Sequence, residues 1–265
     1  MNRCFVAAAL GLTFALPAVA QDTPALQSDF ASQGTGPQIG FTLGTGIKVE
    51  PSYFGSGSSE ASAALGLELN YLDIGGLTFG DPDPLYVPEG FGITGSFRYV
   101  GERSASDDAE LAGLADVDDA LELGAGLRYA TRDYQVFGNV RYGVVGHESF
   151  VGEIGADIFA RPSDRLTLRA GPRAFFGSDD YADTYFGVTP TEAAGSGFTA
   201  YDPSGGLVSA GVELGAGYRL NEAWGIDASV RYDLLTGDAE DSPIVQDDEQ
   251  ITATIGLTRR FTFGF

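Results

Sequence analysis

The chain has 265 residues and a formal net charge of −22, with 37 acidic residues against 15 basic ones. Such a charge argues against nucleic acid as a partner, because the phosphate backbone would repel the protein. There is one histidine and one cysteine, whereas zinc-type sites need several such ligands close together. Glycine spacings that resemble a dinucleotide fingerprint lie inside a predicted strand. We therefore expect no bound metal and no cofactor.

The N-terminus has the features of a secretory signal peptide. Arg3 precedes an apolar run over residues 5–16, which is too short to span a bilayer as a helix. Small residues follow, so we predict cleavage after Ala20 at a site marked by Ala18, Ala20 and Gln21. The chain then divides into a signal peptide at 1–20, an N-terminal periplasmic segment at 21–37 and a barrel domain at 38–265.

Ten segments after residue 37 alternate between apolar and polar residues, as half-buried strands do. Each is longer than the roughly 9–11 residues that a tilted transmembrane strand needs. We predict an all-β fold, a transmembrane antiparallel up-and-down β-barrel of ten strands. Residues 74–89 have room for one more short strand pair, which would give twelve. The ten segments are 38–49, 60–73, 90–102, 119–131, 133–145, 148–161, 164–177, 206–220, 223–236 and 250–265.

The chain ends in alternating aromatic residues. Phe261, Phe263 and Phe265 fall on one face of the last predicted strand. An aromatic strand that reaches the C-terminal residue is typical of the signal that directs outer-membrane barrels to their assembly machinery. A sheet that shows such a face to lipid must close, since unpaired backbone groups cannot face hydrocarbon. The competing interpretation is the last strand of a soluble β-sandwich.

The polar faces of the strands favour the barrel. Away from the strand ends these faces carry acids and arginines in equal number, out of phase with the apolar residues. Arginine forms bidentate pairs with carboxylates and tolerates partial burial. We therefore predict a lumen crossed by ion pairs, closer to a plugged or narrow barrel than to a wide pore. The residues are Glu68, Arg98, Arg128, Arg141, Glu153, Asp157, Arg169, Arg173, Glu213, Asp227, Arg231 and Asp233.

Strand parity sets the orientation, if the C-terminus is periplasmic as in other outer-membrane barrels. The longer connections at 50–60, 103–118, 178–205 and 237–249 then lie outside the cell, and the last three are rich in acids. Such acids form either an ordinary solvated surface or sites for divalent cations that bridge to lipopolysaccharide phosphates. We expect the cell outer membrane as the location, with membrane lipid and lipopolysaccharide as partners.

His147, the only histidine, is the one candidate for a catalytic base. It lies in a short predicted connection, and a histidine near Asp179 and Asp180 could activate water for hydrolysis. Ser149 is too near to it in sequence for a functional pair to be assumed. A single histidine is more often an ordinary loop residue, so we expect no catalytic residue and no enzyme.

Specific motifs lie in and near the outer loops. Residues 179–189 read DDYADTYFGVT and residues 241–245 read DSPIV, while PSYFG at 51–55 and LAGL at 111–114 precede them. Over nearly the whole mature chain this resembles the MipA/OmpV family of outer-membrane proteins, although the family commonly has methionine where this chain has Ala182. The resemblance singles out Asp179, Asp180, Tyr181, Tyr185, Phe186, Gly187, Asp241, Ser242 and Pro243.

The resemblance implies an outer-membrane barrel with a structural role. In the best-known member it implies a scaffold that links a lytic transglycosylase to a penicillin-binding protein in peptidoglycan assembly. Other members are linked to osmotic adaptation, adhesion and antibiotic susceptibility. We expect a scaffold, and the alternative is a narrow outer-membrane channel or an adaptation or adhesion protein. The motifs lie at the predicted outer rim, away from the murein, so either they maintain that rim or the predicted orientation is inverted. We favour the first, in which Tyr185 and Phe186 could fold the long loop back over the lumen.

Overall fold

The computed structural model of the protein describes residues 36–80 and 89–265. The predicted signal peptide, its cleavage site and nearly all of the predicted N-terminal segment lie outside the described residues. The strands are β1 (Gln38–Pro51), β2 (Ser59–Ile74), β3 (Leu77–Gly80), β4 (Gly90–Val100), β5 (Ala120–Ala130), β6 (Tyr134–Val145), β7 (Phe150–Ser163), β8 (Leu166–Gly177), β9 (Gly206–Arg219), β10 (Trp224–Leu235) and β11 (Glu249–Gly264).

All eleven strands belong to one antiparallel sheet, so the predicted all-β antiparallel fold is confirmed. The order is β3-β2-β1-β11-β10-β9-β8-β7-β6-β5-β4. The first long strand pairs with the last, with Gln38 opposite Gly264 and Val49 opposite Ala253. Pairing of the first long strand with the last wraps the sheet round toward a barrel, and in the described residues its two edges, β3 and β4, are not paired with each other.

The strand count differs from the predicted ten by one short strand. Ten of the observed strands match the ten predicted segments closely, and β3 is the addition. It lies in the connection where a strand pair had been allowed for, and pairs with Tyr71–Ile74 at the end of β2. Residues 81–88, which follow β3, lie outside the described residues, so the alternative of twelve strands stays a prediction.

The two edges of the sheet come together beside β2. In the described residues no ladder of hydrogen bonds joins β4 to β2 or to β3. The two strands nevertheless approach each other, since a Cβ on Gly101 would lie 3.8 Å from Glu60 Oε1. We call this unpaired junction between β2 and β4 the seam.

The outer face of the sheet is apolar and exposed. A soluble protein rarely exposes apolar area on this scale, whereas a barrel in lipid must do so. Neither helix described below is long and apolar enough to cross a membrane. Representative outward residues, each at least half exposed, are Ile47, Leu65, Leu67, Ile93, Leu127, Val140, Ile154, Ile158, Leu214, Val230 and Ile255.

Apart from the connection at 75–89, the longer connections lie at one end of the barrel, which we call the loop end; the other is the turn end. Helix α1 (Asp179–Phe186) and helix α2 (Pro190–Gly195) lie in one of these connections, and single 3-10 turns cover Ala109–Leu111 and Gly237–Ala239. The sequence analysis had treated these connections as loops. We call the loop-end segments 101–119, 178–205 and 236–248 together the plug.

Candidate functional site

The plug contains the apolar core of the molecule. In a barrel the outward side chains face lipid, so apolar residues can be buried from solvent by protein only where loops fold inward. Two clusters of buried side chains lie here, and neighbouring wall residues such as Phe175 and Val208 contribute to the first. The most deeply buried apolar residues of the plug are Leu111, Tyr181, Phe186, Val188 and Ile244.

Two other loops hold the end of helix α1. Arg103 donates from Nη1 to the carbonyl oxygen of Tyr185 at 2.9 Å, and Ser242 donates from Oγ to that of Phe186 at 2.6 Å. The last carbonyls of a helix carry partial negative charge and lack partners within the helix. Arg103 therefore supplies the positive charge that α1 itself lacks in its last turn, and burial lowers the pKa of its guanidinium.

The remaining family-motif residues shape the ends of the same segment. Asp179 Oδ1 accepts from the backbone N–H of Gly205 at 2.7 Å, which closes the base of the 178–205 loop. Asp180 lies beside Asp179 in the first helical turn, where negative charge is favourable. Gly187 ends the helix with a hydrogen bond to Asp183, and a Cβ there would lie 2.4 Å from that carbonyl oxygen.

The DSPIV motif makes a turn in the third plug segment. The N–H of Val245 donates to the carbonyl of Ser242 at 3.1 Å, so Pro243 lies inside a tight turn. Asp241 donates its N–H to Gly237 at 3.0 Å. This turn presents the Ser242 hydroxyl to α1, which gives the motif a physical role at the loop end.

Aromatic rings join α1 to the barrel wall. The Tyr181 ring lies 4.6 Å from that of Tyr185 and 5.5 Å from that of Phe175, measured between centroids. Tyr185 and Phe186 are 3% and 0% exposed, and Tyr185 borders the same interior space as Arg98 and Arg231. The plug therefore covers the lumen as one packed body.

A chain of ion pairs crosses the lumen below the plug. Glu153 on β7 lies 2.6 Å from Arg231 on β10, although β8 and β9 separate these strands in the sheet. We call this chain the brace; it runs in the order Arg98, Glu122, Arg141, Glu153, Arg231 and Asp233, with successive N···O distances of 3.4, 2.9, 3.3, 2.6 and 2.5 Å.

A second network follows the wall toward the turn end. Arg173 lies 2.7 Å from Asp157 and 3.5 Å from Glu213. Arg169 continues it, at 3.3 Å from Glu213 and 3.0 Å from Asp227. Each arginine thus has two acidic partners.

Glu68 and Arg128 are the two predicted lumen residues outside both networks. Neither has an ion pair within 4.0 Å among the residues that the structure describes, and Glu68 is exposed. Among the described residues these two side chains therefore belong to neither network.

Glu122 is the central acid of the brace and was missed in the sequence analysis. It is 0% exposed and contacts Arg98, Arg141 and His147. Glu122 is six residues before Arg128 on β5, so both side chains face the lumen. It lies close to the beginning of the strand, however, where alternation alone does not distinguish lumen residues from loop residues. Extending the search for acids to the strand ends would have found it.

His147 connects the brace to the plug. Its Nδ1 lies 2.6 Å from Ser149 Oγ and its Nε2 lies 3.3 Å from Glu122 Oε1; its bonds go to these groups and not to Asp179 or Asp180. Hydroxyl, imidazole and carboxylate follow one another as in a hydrolase relay. Ser149, however, is only 2% exposed, so the trio ties the β6–β7 turn to Glu122 and presents no hydroxyl to a substrate.

The C-terminal aromatic residues form a small cluster at the turn end. Phe41 on β1 packs 5.5 Å from Phe261 and 5.8 Å from Phe263, and the last two rings are nearly parallel. Phe263 and Phe265 are 50% and 71% exposed. The three residues of the predicted assembly signal are thus at the lipid-facing surface.

Acid should loosen the plug through Glu192. Its carboxylate accepts the N–H of Thr189 at 2.8 Å, closing the capping box of α2, and that of Ala115 at 2.9 Å. Burial acts against the charged form, but these hydrogen bonds outweigh it, so the pKa of Glu192 is lowered. A lowered folded pKa adds stability above the unfolded value of about 4.3, and this stability is lost as the pH falls through the folded value.

We therefore expect hydrogen exchange at the Ala115 amide to show less protection below about pH 4 than at neutral pH, after correction for intrinsic exchange. Glu192→Gln should lose this pH dependence. An unchanged acid response in that variant would show that another group controls the plug.

Comparisons with known proteins give a family and a relative of similar sequence. The family model "MltA-interacting protein MipA" matches residues 43–261. The MltA-interacting protein of Escherichia coli (strain K12) is 30% identical over 96 residues, which are 36% of this chain and 38% of that protein. The chain thus matches well under two thirds of that relative's length.

Solved outer-membrane proteins share the fold only distantly. An outer membrane channel from Pseudomonas putida F1 has a TM-score of 0.43 at 12% identity, covering 88% of this chain and 98% of that one. OprG from Pseudomonas aeruginosa has a TM-score of 0.29 at 12% identity, over 84% and 96%. Because the family model covers most of the sequence, the chain belongs to the MltA-interacting protein MipA family, and the predicted family and outer-membrane location are confirmed.

Proposed function

We propose that the protein is a non-conducting outer-membrane anchor that holds a lytic transglycosylase at the murein, and through it a penicillin-binding protein. The observation that carries this proposal is the closed lumen. The plug covers the loop end and the brace crosses the interior below it, so the barrel has the form of an anchor and not that of a transport path. The name of the Escherichia coli relative points to the same class of partner.

The turn end is the side on which such partners would dock. The C-terminal strand ends there, which in outer-membrane barrels is the periplasmic side. Its connections at 131–133, 164–165 and 220–223 are tight, whereas 75–89 is longer and contains β3. This connection is therefore the proposed docking segment for the enzyme.

The proposal is tested by retention of a purified lytic transglycosylase on the immobilised, detergent-solubilised barrel. We expect retention by the intact protein and its loss when the connection after β3 is replaced by a short glycine-serine linker. Replacing a plug residue, for example Asp202→Asn, is the matched control and should leave retention unchanged. No retention by the intact barrel would discard the anchoring role for this protein.

A narrow channel is the second candidate, and the exposure of a wall carboxylate toward the turn end favours it. The Asp227 side chain is 41% exposed there, and the balanced charges of the wall would give little ion selectivity. Planar-bilayer recording separates the two functions, because an anchor with a closed lumen is silent whereas a channel shows stable openings.

A further inference from the structure

A cavity of about 460 Å³ lies between the plug and the brace. Plug residue Tyr185 lines it on one side, and brace residues Arg98, Arg231 and Asp233 line it on the other. Phe175 of β8 adds an aromatic wall. The volume falls within the range of small-molecule sites, and mixed apolar and convergent polar lining is what such sites show.

Four residues that line this cavity carry a buried polar atom without a hydrogen-bond partner in the described part of the chain: Tyr53, Arg103, Tyr185 and Asp233. The last two are next to the brace. One is the hydroxyl of Tyr185, a residue 3% exposed. The other is Asp233 Oδ1, which is buried although Oδ2 of the same carboxylate contacts Arg231 Nε at 2.5 Å. Buried polar groups are nearly always satisfied, and an unpaired carboxylate oxygen requires a donor. A bound ligand with a donor group meets this requirement.

The lining of the cavity extends to the seam. Its lining includes Ala63, Ala64 and Leu65 of β2 and residues 97–100 of β4. Leu65 is 63% exposed on the outer face, so the seam is bordered by lumen and lipid residues. Unpaired strand edges are unfavourable in hydrocarbon. The seam therefore differs from the rest of the wall, where neighbouring strands are joined by hydrogen bonds.

Charge in the cavity suits a head group that carries both signs. Asp233 Oδ1 would accept from an ammonium, and such charge-assisted hydrogen bonds are the strong ones. Arg98 supplies the opposite charge. Its side chain is 28% exposed, and its 3.4 Å contact with Glu122 is the second longest in the two networks, after the 3.5 Å contact of Arg173 with Glu213. Its guanidinium is thus positioned to receive a phosphate.

We propose that this cavity binds a single-chain amphiphile with a phosphoethanolamine head group, its ammonium at Asp233 and Tyr185, its phosphate at Arg98, and its acyl chain leaving through the seam into the bilayer. The binding site is separate from the proposed docking segment at the turn end. It gives the barrel a lipid-sensing or lipid-holding role beyond the anchoring of an enzyme.

The test uses native mass spectrometry of the full-length mature barrel in detergent. The probes are lysophosphatidylethanolamine and lysophosphatidylglycerol of equal chain length, which share tail and phosphate but differ in the ammonium. We expect the ethanolamine lipid to bind about tenfold more tightly, the factor that one charge-assisted hydrogen bond supplies. Equal binding of the two lipids would overturn the proposal.

Matched variants locate the site. Asp233→Asn and Tyr185→Phe should each weaken binding of the ethanolamine lipid. Asp227→Asn, on the same strand and face but outside the cavity lining, and Tyr201→Phe, whose hydroxyl donates to the Asp238 carbonyl outside it, should leave binding unchanged. Equal losses in the control variants would assign the effect to general loosening and reject the site.

A cross-link tests the route through the seam. Glu60→Cys with Gly101→Cys places two thiols at the approach of β2 and β4, in a mature chain that is predicted to have no other cysteine. A short bifunctional thiol reagent should slow lipid entry, and a cleavable version should restore it on reduction. Entry at an unchanged rate would exclude the seam. Retention of the transglycosylase is measured in parallel, so that failure of this proposal is distinguishable from failure of the anchoring role.

Discussion

Replacing Glu122 with glutamine should lower the free energy of unfolding by about 3–5 kcal/mol, the range for removing one partner of a buried ion pair. Glu122 is 0% exposed, and its carboxylate is the acidic group that forms an ion pair with Arg98. Glutamine has nearly the same shape but no charge, so Arg98 and Arg141 would keep their positive charges while losing a shared acid. The same change replaces the charged partner of His147 with a neutral amide and so weakens that contact.

The measurement is urea unfolding of the barrel in lipid vesicles, followed by the fluorescence of Trp224, the only tryptophan. Glu213→Gln is the matched control. Its side chain is 17% exposed, and both of its arginines keep another acid, Asp227 for Arg169 and Asp157 for Arg173. We expect a clearly smaller loss there, and equal losses in the two variants would mean that the brace has no special weight in stability.

Alternation in the sequence was sufficient to predict the strands and their two faces, because lipid and lumen impose opposite requirements on successive residues. It could not predict which charges meet across the lumen. Arg231 and Glu153 are 78 residues apart, and their contact depends on the curvature of the sheet and on strand tilt. For the same reason the brace and the wall network could not be told apart beforehand.

In the plug, the sequence contains a local signal for helix α2 that could have been used to predict it. Thr189, Pro190 and Glu192 form a capping box with proline at the first turn, a readable helix beginning. Helix α1 had a weaker signal, since its two acids in the first turn also suit a solvated loop. Its stability comes from Arg103 and Ser242, which belong to other loops, so that no window of sequence around α1 contains the reason for the helix.

Excising residues 179–204 should convert a silent barrel into one with low-conductance openings. The deletion is compatible with the fold, because Gly177 and Gly206 are register partners in β8 and β9 and a Cβ on Gly205 would lie 2.5 Å from the carbonyl carbon of Ser178. Joining Ser178 to Gly205 therefore leaves a two-residue turn, the shortest common hairpin connection. The excised segment includes the rings of α1 that cover the lumen.

In the barrel that lacks residues 179–204, the brace should still restrict the lumen and keep the conductance low. Arg231 is the residue that spans from β10 to β7, so adding Arg231→Ala to the excised barrel removes the crossing contact while Glu153 keeps Arg141. Planar-bilayer recording should then show larger openings. Arg165→Ala in the excised barrel is the matched control, since it removes the same charge from an exposed turn without touching the brace.

Comparing the conductance of the intact barrel, the excised barrel and the excised barrel with Arg231→Ala shows whether the plug and the brace are separate barriers in series. Openings after excision alone that do not grow with Arg231→Ala would mean that the plug is the whole barrier. Silence in both would mean that the lumen is closed elsewhere and that the closed state does not depend on the plug. We expect silence from the intact barrel, small openings after excision and larger openings after excision with Arg231→Ala. This order requires both the plug and the brace, because each blocks the lumen at a different depth.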